Sequence, residues 1–275
     1  MKRLMLMSLV LAAGMAGAQE RGGWKLVWAD EFNLPGLPDA AKWTYETGFV
    51  RNKESQYYTQ ARQENARVEN GHLVIEGRKE EYTAPDGTRS HYTAASITTQ
   101  GKFDLTYGRV EVRAKLPRGR GMWPAIWMLG SNIASVGWPK CGEIDILEAV
   151  GHEPDKVFAT VHWFGAGKGK HASFGGNLPG QKPSEDFHLY AAEWSADRMD
   201  FYCDGTRYFT YPIEKAGKDD NPQVAESRSC FLHRLWYSNT LFFLMAKIAQ
   251  SVRAADCGSA GRGFESRFSP QSLPQ

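Results

Sequence analysis

An all-β fold, a β-sandwich or jelly roll, is what the sequence predicts, and three observations predict it. Val110, Val112, Ala114 and Leu116 alternate with Arg109, Glu111, Arg113 and Lys115, the period of two that buries one face of a strand and wets the other. Phe201-Tyr202-Cys203 and Thr206-Arg207-Tyr208 flank Asp204-Gly205, which reads as a hairpin with a two-residue turn. Gly and Pro recur between short apolar runs from Trp24 to about Pro212, without a long amphipathic helix or an internal repeat. Many short strands separated by turns suit a sandwich.

The elements follow in chain order. Lys2 and Arg3 precede an apolar run, Leu4 to Ala13, and the small residues Ala16-Gly17-Ala18 precede Gln19. That is the pattern of a secretory signal peptide over residues 1–18, too short to span a bilayer. The mature chain is expected to start near Gln19 and to be secreted or periplasmic. Among the 275 residues the formal net charge is +2, and no basic run appears, so neither nucleic acid nor an anionic membrane is an expected partner. Aromatic residues make up 12% of the chain, with 9 Trp and 11 Tyr, a supply suited to stacking on flat ligands such as sugar rings. Cys141, Cys203, Cys230 and Cys257 are scattered, with no CxxC pair and no metal-ligand spacing. Cys141 reads as a small core residue.

The stretch Cys141 to Gly151, CGEIDILEAVG, holds Glu143, Asp145 and Glu148 among apolar residues. On a strand Glu143 and Asp145 share a face, and Glu148, five positions from Glu143, falls on the other. One extra residue, a β-bulge within Ile146–Leu147, would return Glu148 to the same side. The two glutamate carboxyls would then lie ~5–6 Å apart, the separation of a retaining glycosidase. Three crowded carboxylates do not all ionise cheaply, so at least one is held protonated and can serve as a proton donor. A solvated strand face and a calcium site are the other readings of these acids, although the strand lacks the loop carbonyls that calcium sites use.

The surroundings carry a resemblance. GRVEVRAKLPRGRGMWPAIWMLG (Gly108 to Gly130) and GWPKCGEIDILEAVG (Gly137 to Gly151) resemble glycoside hydrolase family 16, and within it the bacterial laminarinases. WADEFN (Trp28 to Asn33), NKESQYYT (Asn52 to Thr59), TVHW (Thr160 to Trp163) and FHLYAAEWSADRMDFYCDG (Phe187 to Gly205) fit the same family in order. The resemblance implies a curved, concanavalin A-like jelly roll with an open cleft on its concave face. It implies retaining hydrolysis of internal β-1,3-glucosidic bonds, with Glu143 as nucleophile, Glu148 as general acid/base and Asp145 tuning the pair. It implies no cofactor for catalysis, a structural calcium in some members, a β-glucan substrate and a monomeric chain without a membrane span. Trp123, Trp127 and Trp138 are expected to form a platform for glucosyl rings, Trp123, Ala125 and Trp127 sharing a face by period two. His162 and Asn52 are expected at the substrate. Mixed-linkage glucan, or a galactan such as agar or carrageenan, is an alternative substrate, and a catalytically silent glucan-binding module an alternative role.

The resemblance runs from Trp24 to about Asp219. A catalytic domain over residues 19–221 is therefore expected to lack its C-terminal strands, with 222–275 a spurious or disordered tail. Ala249 to Pro270, AQSVRAADCGSAGRGFESRFSP, looks like a translated transfer-RNA gene. Val224 to Gln275 is expected to add no strands, Leu241 to Val252 being at most an amphipathic helix, and activity is expected to be weak or absent.

Overall fold

The computed structural model describes residues 20–21, 24–165, 170–216, 230–235 and 242–253. The signal segment at residues 1–18 lies outside them, as does 254–275. The first half runs through β1 (Glu20–Arg21), β2 (Trp24–Asp30), β3 (Thr44–Glu46), β4 (Tyr57–Tyr58), β5 (Ala66–Glu69), β6 (His72–Thr83), β7 (Arg89–Ala94), β8 (Ser96–Thr98) and β9 (Gly108–Lys115). It continues with β10 (Ala125–Gly130), a single-turn helix α1 (Ile133–Val136), β11 (Glu143–Glu148), β12 (Lys156–Gly165), β13 (Lys170–Pro179) and β14 (His188–Trp194). The last strands are β15 (Arg198–Cys203), β16 (Thr206–Pro212), β17 (Cys230–Leu235) and β18 (Phe242–Arg253).

These strands form two sheets. The larger follows the order β16-β15-β14-β9-β18-β6-β7-β4, with β1, β2 and β5 branching from it. The smaller follows β13-β12-β11-β10-β17-β8-β3 and carries the candidate site. The predicted alternation is present: along β9, Val110, Val112 and Ala114 are buried while Glu111 and Arg113 are not. The hairpin is present too, with Cys203 opposite Thr206. Asp204 and Gly205 have φ of 49° and 78°, the left-handed pair that a tight I′ turn requires.

The core lies between the sheets. Ile126, Met128, Ile144, Ile146 and Leu147 from the smaller sheet join Val110, Val112, Tyr190 and Phe201 from the larger in one buried cluster. Each such large apolar side chain contributes roughly 1.5–3 kcal/mol by leaving water. Among the described residues no helix is long and apolar enough to cross a membrane.

The C-terminal segment corrects the expectation from sequence. Cys230–Leu235 pairs with β10 and β8, and Phe242–Arg253 pairs with β9, β6 and β2. Residues 230–235 and 242–253 are thus strands inside both sheets, and Phe242–Arg253 is a strand where an amphipathic helix was the most expected of Leu241 to Val252. The physical reason lies in the partners. Without β18, the facing edges of β9 and β6 would leave rows of N–H and C=O groups unpaired in mid-sheet, which is costly. The expected loss of activity rested on missing strands, and that reason falls.

Candidate active site

Strand register assembles the site. In β10 and β11, Trp127 faces Asp145 while Ile126 faces Leu147, so Ile146 is the extra residue. In β11 and β12, Asp145 faces Thr160 and Glu148 faces Phe158, the same shift. The bulge thus falls at Ile146–Leu147, where the sequence placed it. Both apolar residues of the bulge enter the core, and Glu143, Asp145 and Glu148 all line one cleft of about 700 Å³.

The three acids differ in setting. Asp145 is buried at 3% exposure, while Glu143 and Glu148 are half-buried. Each glutamate receives an indole N–H: Trp138 Nε1 donates to Glu143 Oε2 at 2.6 Å, and Trp123 Nε1 to Glu148 Oε1 at 2.8 Å. Thr160 Oγ1 reaches Glu148 Oε2 at 3.4 Å. Burial, then repulsion from Asp145, pushes the Glu143 carboxyl up to about 8. Burial, then the Glu148 charge, holds Asp145 well above the usual carboxylate range. Asp145 and Glu143 are hydrogen-bonded to each other, so the pair retains a proton near neutral pH.

His162 sits opposite Glu143 across β11 and β12, and directly opposed residues of an antiparallel pair share a face. Its Nε2 lies 3.0 Å from Asp145 Oδ2. Its Nδ1 lies 2.8 Å from His171 Nε2, with the two rings stacked 5.0 Å apart at 19°. His171 in turn packs 4.7 Å from the Trp138 ring.

The structure brings all of the sequence-predicted residues to this cleft, in unequal positions. Trp123 and Trp138 are 42% and 50% exposed and stand at its surface. Trp123 lies two residues before β10, and it lines the cleft together with Ala125 and Trp127. Trp127 is buried in the floor with Ala125, Leu129 and Cys141, and the Arg51 guanidinium lies 5.3 Å over its ring. Asn52 lines the cleft from a turn, with φ of 52°. Sequence reasoning missed His171, Thr160 and Arg51. A signal for His171 existed: the run Gly165-Ala166-Gly167-Lys168-Gly169 reads as a break between two strands, which would set His171 beside His162.

Donor atoms of Glu143, Asp145 and His162 lie within 4.8 Å of one another, a spacing that a metal site would also show. Here Glu143 is hydrogen-bonded to Asp145, and His162 Nε2 stands 3.0 Å from Asp145 Oδ2. A second cluster, His188, Cys203 and Asp204, is likewise closed on itself. His188 Nδ1 meets Asp204 Oδ2 at 2.6 Å, Leu189 N–H donates to Asp204 Oδ1 at 2.8 Å, and the Cys203 thiol donates to Gln181 Oε1 at 3.4 Å. Burial pushes that thiol up to about 12, so it stays protonated. The cluster ties the start of β14 to the end of β15.

Bulge-set acids, each glutamate held by an indole on the open side of a two-sheet sandwich, define a glycosidase. The model for the glycosyl hydrolases family 16 matches residues 53–237, running past the boundary at residue 221 read from sequence. The chain belongs to that family. The β-glucanase of Rhodothermus marinus is 43% identical over 217 residues, 76% of this chain and 74% of that protein. The laminarinase catalytic domain from Thermotoga maritima MSB8 superposes with a TM-score of 0.72 at 37% identity, covering 83% of this chain and 98% of that one. A non-specific endo-β-1,3(4)-glucanase of the family gives 0.75 at 36% identity, over 85% and 92%.

Proposed function

We propose that this chain is an exported endo-acting glycosidase that cleaves internal β-1,3-glucosidic bonds of laminarin-type glucan with retention at the anomeric carbon. The observation that carries the reading is the bulge, which turns Glu143, Asp145 and Glu148 to one cleft. Glu143 attacks the anomeric carbon while Glu148 protonates the departing glycosidic oxygen. Glu148, now ionised, takes a proton from the water that releases the sugar from Glu143 and so recovers its own proton. Glu143 must be ionised to attack. It is so when the proton of the buried pair rests on the Asp145 side, and positive charge developing on the sugar favours that form. The exposed faces of Trp123 and Trp138 offer stacking area for glucosyl rings, each N–H meanwhile orienting a glutamate.

The test is reducing-sugar release from laminarin by the purified chain starting at Gln19, beside its Glu143→Gln variant, with folding followed by circular dichroism. Release by the first and not the second, both folded, supports the reading. Equal release by both, or none by a folded parent chain, overturns it. Similarity to a non-specific endo-β-1,3(4)-glucanase favours a second reading, in which mixed-linkage glucan is also cut, and product profiling on both polymers separates the two. Export rests on Leu4–Ala13 and Ala16-Gly17-Ala18. An N-terminus at Gln19 on extracytoplasmic protein is the expected result. No catalytic role is proposed for residues 254–275.

A further inference from the structure

His162 and His171 are the two members of the cleft's contact chain that the reaction above does not use. The chain runs from Glu143 to Asp145, from Asp145 Oδ2 to His162 Nε2 at 3.0 Å, and from His162 Nδ1 to His171 Nε2 at 2.8 Å. It closes through Trp138, which packs on His171 and donates to Glu143. Two ring nitrogens 2.8 Å apart share one proton, and only one of them can donate.

The direction of that one bond decides the charge facing Glu143. If His171 donates, His162 Nδ1 is bare and the imidazole is neutral, its Nε2 3.0 Å from Asp145 Oδ2. With Asp145 ionised, the two groups together are then an anion, and Glu143 keeps its proton. If His171 accepts, His162 Nδ1 carries the proton. A second proton on Nε2, 3.0 Å from Asp145 Oδ2, then makes His162 an imidazolium beside the carboxylate, and the two groups together are neutral. Glu143 then ionises against a neutral neighbour.

We propose that His171 is a positioning residue that accepts the Nδ1 proton of His162, keeps the Asp145–His162 pair neutral, and so leaves Glu143 ionised for attack. This rests on the reading of Glu143 as nucleophile. The surroundings favour His171 as the acceptor. Burial, then the neighbouring His162, holds the His171 imidazole below its ordinary value, which keeps it neutral. The other charged groups facing the pair are Glu143, Asp145 and Glu148 on β11, with Glu46, Arg51 and Glu54 lining the same cleft. Lys140 lies over the Phe164 ring, whose residue is opposite His171 in the register.

The test uses two variants of the full chain. His171→Phe keeps a ring between Trp138 and His162 and removes the acceptor, whereas His171→Gln keeps an acceptor oxygen. His171→Phe is expected to lower kcat/KM about tenfold below the pH at which Glu143 ionises and to move that limb up by about one unit, with KM little changed. His171→Gln is expected to restore the parent limb. A uniform loss at all pH values, a rise in KM alone, or equal behaviour of the two variants would overturn the proposal. Nitrogen-resolved NMR of the unsubstituted protein gives a reading that does not depend on variant folding or on turnover. A bare Nε2 on His171 and a protonated Nδ1 on His162 support the assignment, and a proton on His171 Nε2 overturns it. If the parent chain releases no sugar, the nucleophile reading fails by that result, and the NMR still tests the bond direction.

Discussion

Replacing Glu143 by Gln should abolish turnover and at the same time stabilise the protein, by an amount that grows with pH. The carboxyl is raised from 4.5 to about 8 in the folded state, first by burial and then by Asp145. Below 4.5 the folded and unfolded chains both hold the proton, and the group costs nothing. Between 4.5 and about 8 the folded chain keeps a proton that the unfolded chain has released, so stability falls as pH rises. At about 1.4 kcal/mol per unit the full cost is roughly 3–5 kcal/mol above pH 8. Glutamine is neutral at every pH and avoids it. Scanning calorimetry of both proteins should give similar melting temperatures near pH 5 and a gap on the order of 10 °C near pH 8. Turnover of the variant should fall by at least roughly a thousandfold. A melting difference that stays constant with pH would refute the assignment of a strained, proton-holding Glu143.

Further expectations follow from the same geometry. Trp138→Phe keeps a ring at the cleft and removes the donor 2.6 Å from Glu143 Oε2; loss of a hydrogen bond to a carboxylate should cost about tenfold or more in kcat on laminarin, and an unchanged kcat would show the bond idle. The kcat/KM profile should rise with pH through about 8, where Glu143 loses its proton, and a limb near 4–5, the ordinary carboxylate range, would contradict the burial argument. Removing residues 254–275 should leave soluble yield and turnover unchanged, while removing 222–275 takes β17 and β18 out of both sheets and should give aggregated protein. A cooperative melt after the longer deletion would show those strands dispensable.

Much of the fold was legible because one face of each strand is wet. The alternation along Arg109–Leu116 and the Asp204-Gly205 turn both report a local rule, and both are present in the structure. The bulge was legible for a different reason: three acids and two buried apolar residues cannot be sorted onto two faces without one extra residue. What stayed hidden depends on partners far along the chain. β18 pairs with strands that begin at residues 24, 72 and 108, and nothing near Phe242 announces which edge it fills. His171 was hidden in the same way, since its task comes from a neighbour on β12 and not from its own surroundings in sequence. Trp127 was placed on the right face, but periodicity says nothing of depth, and the Arg51 guanidinium over its ring comes from another part of the chain.

The bulge also explains why a buried strand carries three acids. A regular strand over Glu143–Glu148 would bury either Glu148 or the apolar residues on the wrong face. Ile146 and Leu147 both enter the core, and their burial holds the irregular register in place, by roughly 1.5–3 kcal/mol each. The acids are therefore positioned by hydrophobic packing behind them, while their charges are opposed by burial in front. Packing supplies the free energy that keeps Asp145 at 3% exposure and keeps a proton in the pair. The same burial that destabilises the ionised forms makes them reactive, because an exposed, fully solvated Glu143 would have neither a shared proton to lose nor a cleft from which water is displaced. On this argument stability and catalysis are set against each other at a single bulge, and a substitution that relaxes the acids should cost turnover.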